Sequence, residues 1–291
     1  NMKQVKSSFR IVEQAPTIVG MKKQCEAGGR ICYRSEDRIS DDSYKKLLSV
    51  FDERHHYSPL AHGTIYMNIS KENWAPICER LNKKFMSEHD KDLTAMTWFR
   101  NPMWTRMVWC DGYWAITTNY RIIKELELED IMEKYWCEPT SKHIKRYSVE
   151  FECSRGVMDE IRTHASSLAA TSESTRYCNY NNDKFGSELT YVYPSWFVDA
   201  TEAQKEVYIK QCEAEESAYI TLIGLDMQPQ QARDLLSLNI RTKCMFTGFP
   251  DAWEHVFSLR TTKAAHPDMV EIMKPLSTEF NKRGITNKIY E

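Results

Sequence analysis

Polar and apolar residues alternate, or β-formers cluster, over strand-sized runs at Ser8 to Glu13, Thr64 to Ile69, Tyr113 to Thr118 and Arg146 to Cys153. Such runs suit strands with one face against a core, and together they predict one mainly antiparallel sheet. A period of about 3.6 residues marks helices instead. It occurs over Asp41 to Glu53, Lys71 to Phe85, Arg121 to Tyr135, Thr201 to Leu225, Pro229 to Leu238, Asp251 to Thr262 and His266 to Arg283. The expected fold class is therefore α/β of the α+β type: a mainly antiparallel sheet flanked by helices, with a helical C-terminal half. No repeat, low-complexity tract or Pro/Gly/Ser linker divides the sequence, so residues 1–291 are expected to form a single domain. The stretch Asp90 to Gly112 is the least regular, with Pro102, Gly112 and tryptophans at 98, 104 and 109. It is expected to be an insertion loop or a mobile flap.

One helix carries a charge where its pattern calls for an apolar residue. At about 100° per residue, Trp253, Val256, Phe257 and Arg260 share one face, while Glu254, Ser258 and Thr262 lie opposite. Burying a guanidinium is costly unless something pairs with it, so either a carboxylate or an anionic or polar ligand must meet Arg260. A snorkelling arginine at the helix end is the structural alternative. Arg233, beside the inward-looking Leu235 and Leu236, is a second candidate for a ligand contact.

Composition narrows the function classes. The 291 residues are 42% hydrophobic and 12% aromatic, enough for a large core. A net charge of -2 carries no basic footprint for DNA or RNA, so a nucleic acid polymer is not an expected partner. Nine cysteines, odd in number and never spaced C-x-x-C, fit reduced thiols better than a disulfide framework or a zinc site. Asn1 to Arg10 is polar without an apolar signal core, and no membrane span is apparent, so the expectation is a soluble cytoplasmic protein. His55, His56 and His62 match no standard ligand spacing, and no metal site is expected. With ten glycines and no G-x-G-x-x-G or G-x-x-x-x-G-K-[ST], a bound dinucleotide would sit outside a Rossmann or P-loop frame.

The densest candidate chemistry lies between Arg162 and Tyr177. Arg162-Thr163-His164 is followed by Glu173-Ser174-Thr175-Arg176-Tyr177, without a glycine or proline in between. Arginine presents a planar fork of donors that matches phosphate, so paired arginines beside Ser and Tyr hydroxyls suit a phosphorylated small molecule. The alternative is a solvated, salt-bridged surface segment.

Several segments taken together resemble the flavin-dependent thymidylate synthase family. Ser58-Pro59-Leu60-Ala61-His62 leading into a strand is similar to its early S-P-x-x-H element. Cys153-Ser154-Arg155-Gly156-Val157, then Glu173 to Tyr177, Cys178-Asn179-Tyr180 and Asp183-Lys184-Phe185-Gly186, resemble its signature region. Gln231-Ala232-Arg233 through Thr242, Trp253 to Arg260 and Ala265-His266-Pro267 resemble its C-terminal part. The resemblance implies an enzyme that makes dTMP from dUMP with FAD, methylene-tetrahydrofolate and NADPH, as a homotetramer whose active sites are shared between chains. It further implies that His62, Thr64, Arg162 and His164 hold FAD. Ser174, Arg176 and Arg233 would hold the dUMP phosphate and sugar, Glu173 and Tyr177 would line the same pocket, and Arg260 would meet the uracil ring as the catalytic group. No protein nucleophile is needed, because flavin and folate carry the redox and one-carbon chemistry. The sequence departs from the family where Arg162-Thr163-His164 stands for Arg-His-Arg and is followed by a longer spacer. That departure motivates one alternative, a non-catalytic or flavin-impaired nucleotide-binding relative; a pyrimidine nucleotide hydroxymethylase using the same pocket is a separate one.

Overall fold

The strands build two antiparallel sheets and one short parallel pair, where the sequence pattern predicted a single sheet. The computed structural model describes residues 3–84, 94–164, 167–181 and 188–288. Along the chain come β1 (Lys3–Val5), β2 (Ser8–Val12), α1 (Ile18–Cys32), α2 (Ser43–Glu53), β3 (Thr64–Ser70), α3 (Lys71–Lys83), α4 (Ala95–Phe99), β4 (Arg106–Cys110) and β5 (Tyr113–Asn119). Then follow α5 (Tyr120–Leu126), α6 (Glu129–Tyr135), β6 (Tyr147–Ser154), α7 (Arg155–Arg162), β7 (Ala169–Ser172) and β8 (Thr190–Val192). The last elements are α8 (Glu202–Gly224), α9 (Pro229–Ala232), β9 (Arg241–Gly248), α10 (Pro250–Arg260) and α11 (Pro267–Lys282). Strands β2, β6, β9 and β7 neighbour one another in that order, β3, β5 and β4 form the second sheet, and β1 pairs with β8 in parallel.

Strand periodicity decides what each face of the four-stranded sheet meets. Val149, Phe151 and Cys153 of β6, with Cys244 and Phe246 of β9, pack on Trp253, Val256 and Phe257 of α10 and on Met269, Met273 and Phe280 of α11. Burial of each such large side chain contributes roughly 1.5–3 kcal/mol. Alternate residues, among them Ser148 and Glu152 on β6 and Arg241 and Thr247 on β9, turn to the other face, as a period of two requires. There α1 and the turn Ser58–His62 lie over β7 and β9. A second core joins Ile65, Met67 and Ile116 of the three-stranded sheet to Met21, Phe51, Leu60 and Ile123. A third gathers Cys178, Tyr180, Tyr191, Cys212, Tyr219 and Ala232 beneath α8.

Four differences from the sequence pattern have physical reasons. Helix α1 escapes propensity because it contains Gly20, Gly28 and Gly29, yet each of these glycines is where a neighbour presses close, for Gly28 and Gly29 a side chain from elsewhere in the fold. A Cβ on Gly28 would stand 2.5 Å from His62 Cδ2, and one on Gly29 would stand 2.3 Å from Phe51 Cζ. Strand β9 shows no alternation because both its faces are covered, and it puts a strand at the middle of what was expected to be a helical half. The predicted helix from Arg121 to Tyr135 is two helices broken at Glu127, whose φ of 57° is left-handed. The predicted helix from Pro229 stops at Ala232 and continues only as a 3-10 turn, Arg233–Leu235.

In the stretch expected to be an insertion loop or flap, residues 94–112 carry α4 and β4. Ala95, Phe99 and Trp104 are buried, and β4 is hydrogen-bonded along β5. Residues 85–93 lie outside the described ones. No described helix is long and apolar enough to cross a membrane.

Candidate active site

Helix α7 delivers one signature residue to a cleft. Ser154 caps it by accepting the Val157 N–H, and Val157, Met158 and Ile161 bury one face, which leaves Arg162 at its last turn directed outward. Arg162 lines a cavity of about 290 Å³, whose other walls are Leu168 and β7 residues Ala169 to Ser172, the turn residues Ser58 and Ala61, Met103 and Trp104 before β4, and Arg121 of α5. Its guanidinium has only a 3.9 Å approach to Asp159 and a side-chain exposure of 53%, so it is nearly uncommitted. Arg121 is anchored, 2.7 Å from Glu125 and 5.5 Å over the Trp104 ring. Trp104 Nε1 is a buried donor without a partner in this wall.

His62 sits behind the cleft, within the protein, and Thr64 lies in the wall of a second cavity. His62 is fully buried, with Nδ1 2.7 Å from Thr247 Oγ1 and Nε2 3.0 Å from Thr171 Oγ1. Burial first, and the Arg146 charge second, push its pKa down to about 3, so the ring is neutral. Thr64 exchanges two backbone hydrogen bonds with the Gln14 amide, and its Oγ1 accepts from Arg146 at 3.4 Å. Arg146 is itself buried and has no carboxylate partner among the described residues.

Arg260 points inward, as its helix face predicted, and a carboxylate meets it. From the end of α10 its Nη1 donates to Glu160 Oε2 at 2.9 Å, its Nη2 to Thr163 Oγ1 at 3.0 Å and to the Glu160 carbonyl at 3.3 Å, and its Nε to His164 Nε2 at 3.0 Å. His164 is buried, its ring 5.5 Å from that of His255, and its pKa is lowered by burial, then by Arg260, then by His255. As an acceptor at Nε2 it is neutral. Four of the five guanidinium N–H groups are thereby engaged.

The segment after β7 divides in its roles. Glu173 is buried; its Oε1 accepts from the Tyr180 hydroxyl at 2.6 Å and its Oε2 from Arg241 Nη1 at 2.9 Å. The next residue begins a turn open to solvent: the Ser174 N–H donates to the Cys32 carbonyl at 3.0 Å, and Ser174 Oγ accepts the Arg176 N–H at 3.4 Å. Arg176 is exposed, its guanidinium 5.6 Å over the Tyr177 ring, and Tyr177, 61% exposed, stands 5.6 Å from the Tyr33 ring. Arg233 is exposed at the start of its 3-10 turn. Cys178 and Tyr180 pack in the third core with Ala232, so that core carries both the Ser174 turn and Arg233 at its rim.

Two neighbourhoods result. One gathers Arg162, His164 and Arg260 around the α7 and α10 C-termini, with His62 behind the cleft wall; the other holds Ser174, Arg176 and Tyr177 in one turn and Arg233 in another, each next in sequence to residues of the third core. Arg121, Thr171 and Arg241 went unnoticed in the sequence, since single residues flanked by ordinary strand and helix patterns give no signal. The segment Asp183 to Gly186, which contributed to the resemblance, and Ala165 and Ser166, within the departure from it, lie outside the described residues. Among the described residues no group of three or more His, Cys, Asp or Glu side chains could hold a metal ion.

No curated protein matches the sequence. Among solved structures, the chain is similar to the UMP/dUMP methylase PolB from Streptomyces cacaoi bound with 5-Br dUMP, at 12% identity over 97% of this chain and 93% of that one, with a TM-score of 0.44. The same methylase bound with 5-Br UMP gives 11% identity over 97% and 92%, with a TM-score of 0.45. A family model described as thymidylate synthase complementing protein matches residues 125–283, more than half of the sequence, running from α5 through α11. On that match the chain belongs to the thymidylate synthase complementing protein family.

Proposed function

We propose that this chain is a flavin-dependent thymidylate synthase that methylates dUMP to dTMP, taking the carbon from methylene-tetrahydrofolate and the reducing equivalents from NADPH. The observation that carries this reading is the pairing of an open phosphate-type donor set with membership of the family. Arg176 and Arg233 are exposed arginines without an ion-pair partner among the described residues; Arg176 shares a turn with the Ser174 hydroxyl, and Arg233 directly follows Ala232, which packs with Cys178 and Tyr180 of the segment after that turn. A dianionic phosphate is satisfied by two guanidinium forks and a hydroxyl donor. Tyr177, its ring tilted 5.6 Å from that of Tyr33, offers an aromatic surface to the nucleoside, and Glu173 fixes the turn from beneath.

The cleft suits an anionic, aromatic cofactor in part. Arg162 is nearly uncommitted at its mouth, Arg121 stands in its wall, and the buried Trp104 Nε1 lacks an acceptor. Arg162 would hold the diphosphate of FAD, while His62, closed against two threonines, would act through Thr171 in the wall. Thr64 and His164 are committed to protein groups and would set the shape around it. FAD and folate, when bound, would supply the redox and one-carbon chemistry. Arg260 keeps one N–H free, enough to meet one uracil oxygen and stabilise negative charge on it. In a homotetramer with shared sites, the Arg260 corner of one copy and the Arg176 rim of another would face the same nucleotide.

The absorption spectrum of the purified protein is the first test, followed by an assay with FAD, NADPH, methylene-tetrahydrofolate and dUMP. A flavin band and dTMP formation are expected, and a flavin-loaded protein that forms no product removes the reading. A product one oxygen atom heavier than dTMP would assign hydroxymethylation. The second reading, a nucleotide-binding relative without flavin chemistry, is favoured by Thr163 standing where the family has histidine and by His164 being occupied by Arg260. A colourless preparation that binds dUMP selects it.

A further inference from the structure

We propose that Ser148, Thr247, His62 and Thr171 form a proton relay that joins the cleft at Arg162 to a second cavity, and this rests on the reading that the cleft is where the reaction occurs. The four groups make one unbroken chain. Ser148 Oγ lies 2.7 Å from Thr247 Oγ1, Thr247 Oγ1 lies 2.7 Å from His62 Nδ1, and His62 Nε2 lies 3.0 Å from Thr171 Oγ1. Thr171 belongs to the wall of the cleft, and Ser148 to the wall of a cavity of about 600 Å³ that is also lined by Gln14, Tyr66, Lys145 and Arg146.

Burial makes the chain selective for protons. Relative exposure is 0% for His62, 1% for Thr247, 5% for Ser148 and 6% for Thr171, so neither water nor substrate passes along it. A histidine that served packing alone would be satisfied by two partners. Here the hydroxyl that meets Nδ1 is itself bonded to a further hydroxyl at the edge of a cavity, and the hydroxyl that meets Nε2 stands at the edge of another. Neutral imidazole carries one donor and one acceptor nitrogen, which gives the chain a direction. The ring stays neutral because it is desolvated and faces the buried Arg146, so it does not store a proton.

Transfer is therefore concerted. Ser148 gives its hydroxyl proton to Thr247 Oγ1, Thr247 gives its own to Nδ1, Nε2 gives its proton to Thr171 Oγ1, and Thr171 gives its own to an acceptor in the cleft. Ser148 is reprotonated by water in the second cavity. One proton crosses, no charge remains inside, and the imidazole ends as its other tautomer. Reversal of every donor moves a proton outward by the same groups.

The test uses the full chain, labelled uniformly with nitrogen-15. Solvent exchange of the His62 imidazole N–H is compared with that of the Phe246 backbone amide, which is buried in β9 next to Thr247. The relay predicts that the imidazole N–H exchanges far faster than this amide, although it is fully buried. Thr247→Val should slow the exchange by about tenfold or more, by breaking the chain at its centre, and Thr247→Ser should restore it. Ser148→Ala repeats the comparison if the valine variant does not fold. An imidazole N–H as slow as the Phe246 amide, or one unaffected by the loss of either hydroxyl, overturns the relay. These outcomes do not require turnover, so a protein that makes no dTMP would refute the proposed function and leave the relay to the exchange data. In an active enzyme, Thr247→Val should lower kcat and change its solvent isotope effect without changing the KM for dUMP, and an unchanged isotope effect would remove the relay from the reaction.

Discussion

Arg241 Nη1 donates to Glu173 Oε2 across 2.9 Å, with the two side chains 5% and 1% exposed. The pair ties β9 to the first residue after β7, and the Tyr180 hydroxyl closes the other carboxylate oxygen at 2.6 Å. Burial and the Glu173 charge push the Tyr180 phenol well above its ordinary pKa, which keeps it a donor. Glu173, expected to line a nucleotide pocket, thus has both oxygens bound by protein. Its position immediately before Ser174 makes it the support for the turn that carries Ser174 and Arg176.

Glu173→Gln should reveal that support. Removing one partner of a buried ion pair typically costs about 3–5 kcal/mol, and Arg241 retains Glu152 at 2.5 Å, so a loss near the lower end, about 3 kcal/mol, is expected. Urea unfolding measures it, and dUMP affinity should fall in the same variant as the turn loosens. A midpoint within about 0.5 kcal/mol of the parent would mean that the pair is not holding the turn.

Gly28→Ala tests the close approach of α1 to His62. In an exposed helix interior this change stabilises by about 1 kcal/mol. Here the added Cβ would lie 2.5 Å from His62 Cδ2, in a ring fixed at both nitrogens by Thr247 and Thr171. The ring cannot swing away without breaking those bonds, so the sign should reverse, with a loss of about 1–3 kcal/mol in thermal or urea unfolding.

These two sites explain what the sequence could reveal. The inward direction of Arg260 was legible from helical periodicity, because the α10 face is fixed by Trp253, Val256 and Phe257 alone. Strands β2, β3, β5 and β6 were legible for the same local reason. Helix α1 was not, since its glycines are chosen by His62 and Phe51, residues far along the chain. Strand β9 was hidden because burial on both faces erases the alternation that marks a strand. The partners of Glu173 and His62 are Arg241, Tyr180, Thr247 and Thr171, and no local spacing announces such pairings. Family resemblance named the residues; only the fold distinguished those that face the cleft from those that support it.

Arg233→Ala should weaken dUMP binding without touching stability. The side chain is exposed and has no ion-pair partner among the described residues, so folding loses nothing when it goes. A charged hydrogen bond to phosphate contributes about 1.5–3 kcal/mol, which corresponds to at least a tenfold rise in Kd by calorimetry, reduced at high salt. Unchanged affinity would take Arg233 out of the phosphate site.

Arg260→Ala should abolish dTMP formation while the fold survives. Its pair with Glu160 is partly exposed, 21% and 34%, so the loss of stability should be about 1 kcal/mol. The same variant carries an internal check. Arg260 is one of the causes that lower the His164 pKa, so its removal should raise that pKa towards the ordinary histidine value in an NMR titration. A variant with full turnover would separate Arg260 from the reaction, and an unmoved His164 titration would mean that the two side chains do not face one another in solution.

His62 should leave a signature in the pH dependence of stability. Its folded pKa is pushed down to about 3 by burial and Arg146, against an unfolded value of about 6.5. Above pH 6.5 neither state binds the proton, and stability is complete. As pH falls below about 6.5 the unfolded state takes up a proton that the folded state refuses, so stability falls by up to about 1.4 kcal/mol per pH unit for this one group, until the folded pKa is reached. His56, His143 and His164 are also lowered, chiefly by burial, and contribute with the same sign. Comparison with His62→Asn isolates the single group, because the substitution removes one titration and leaves the others in place. Between about pH 6 and 5 the urea-derived stability of the parent should fall more steeply than that of His62→Asn, by an amount approaching one proton. Parallel slopes would show that His62 takes up a proton in the folded protein, and hence that the ring is neither desolvated nor held neutral between Thr247 and Thr171.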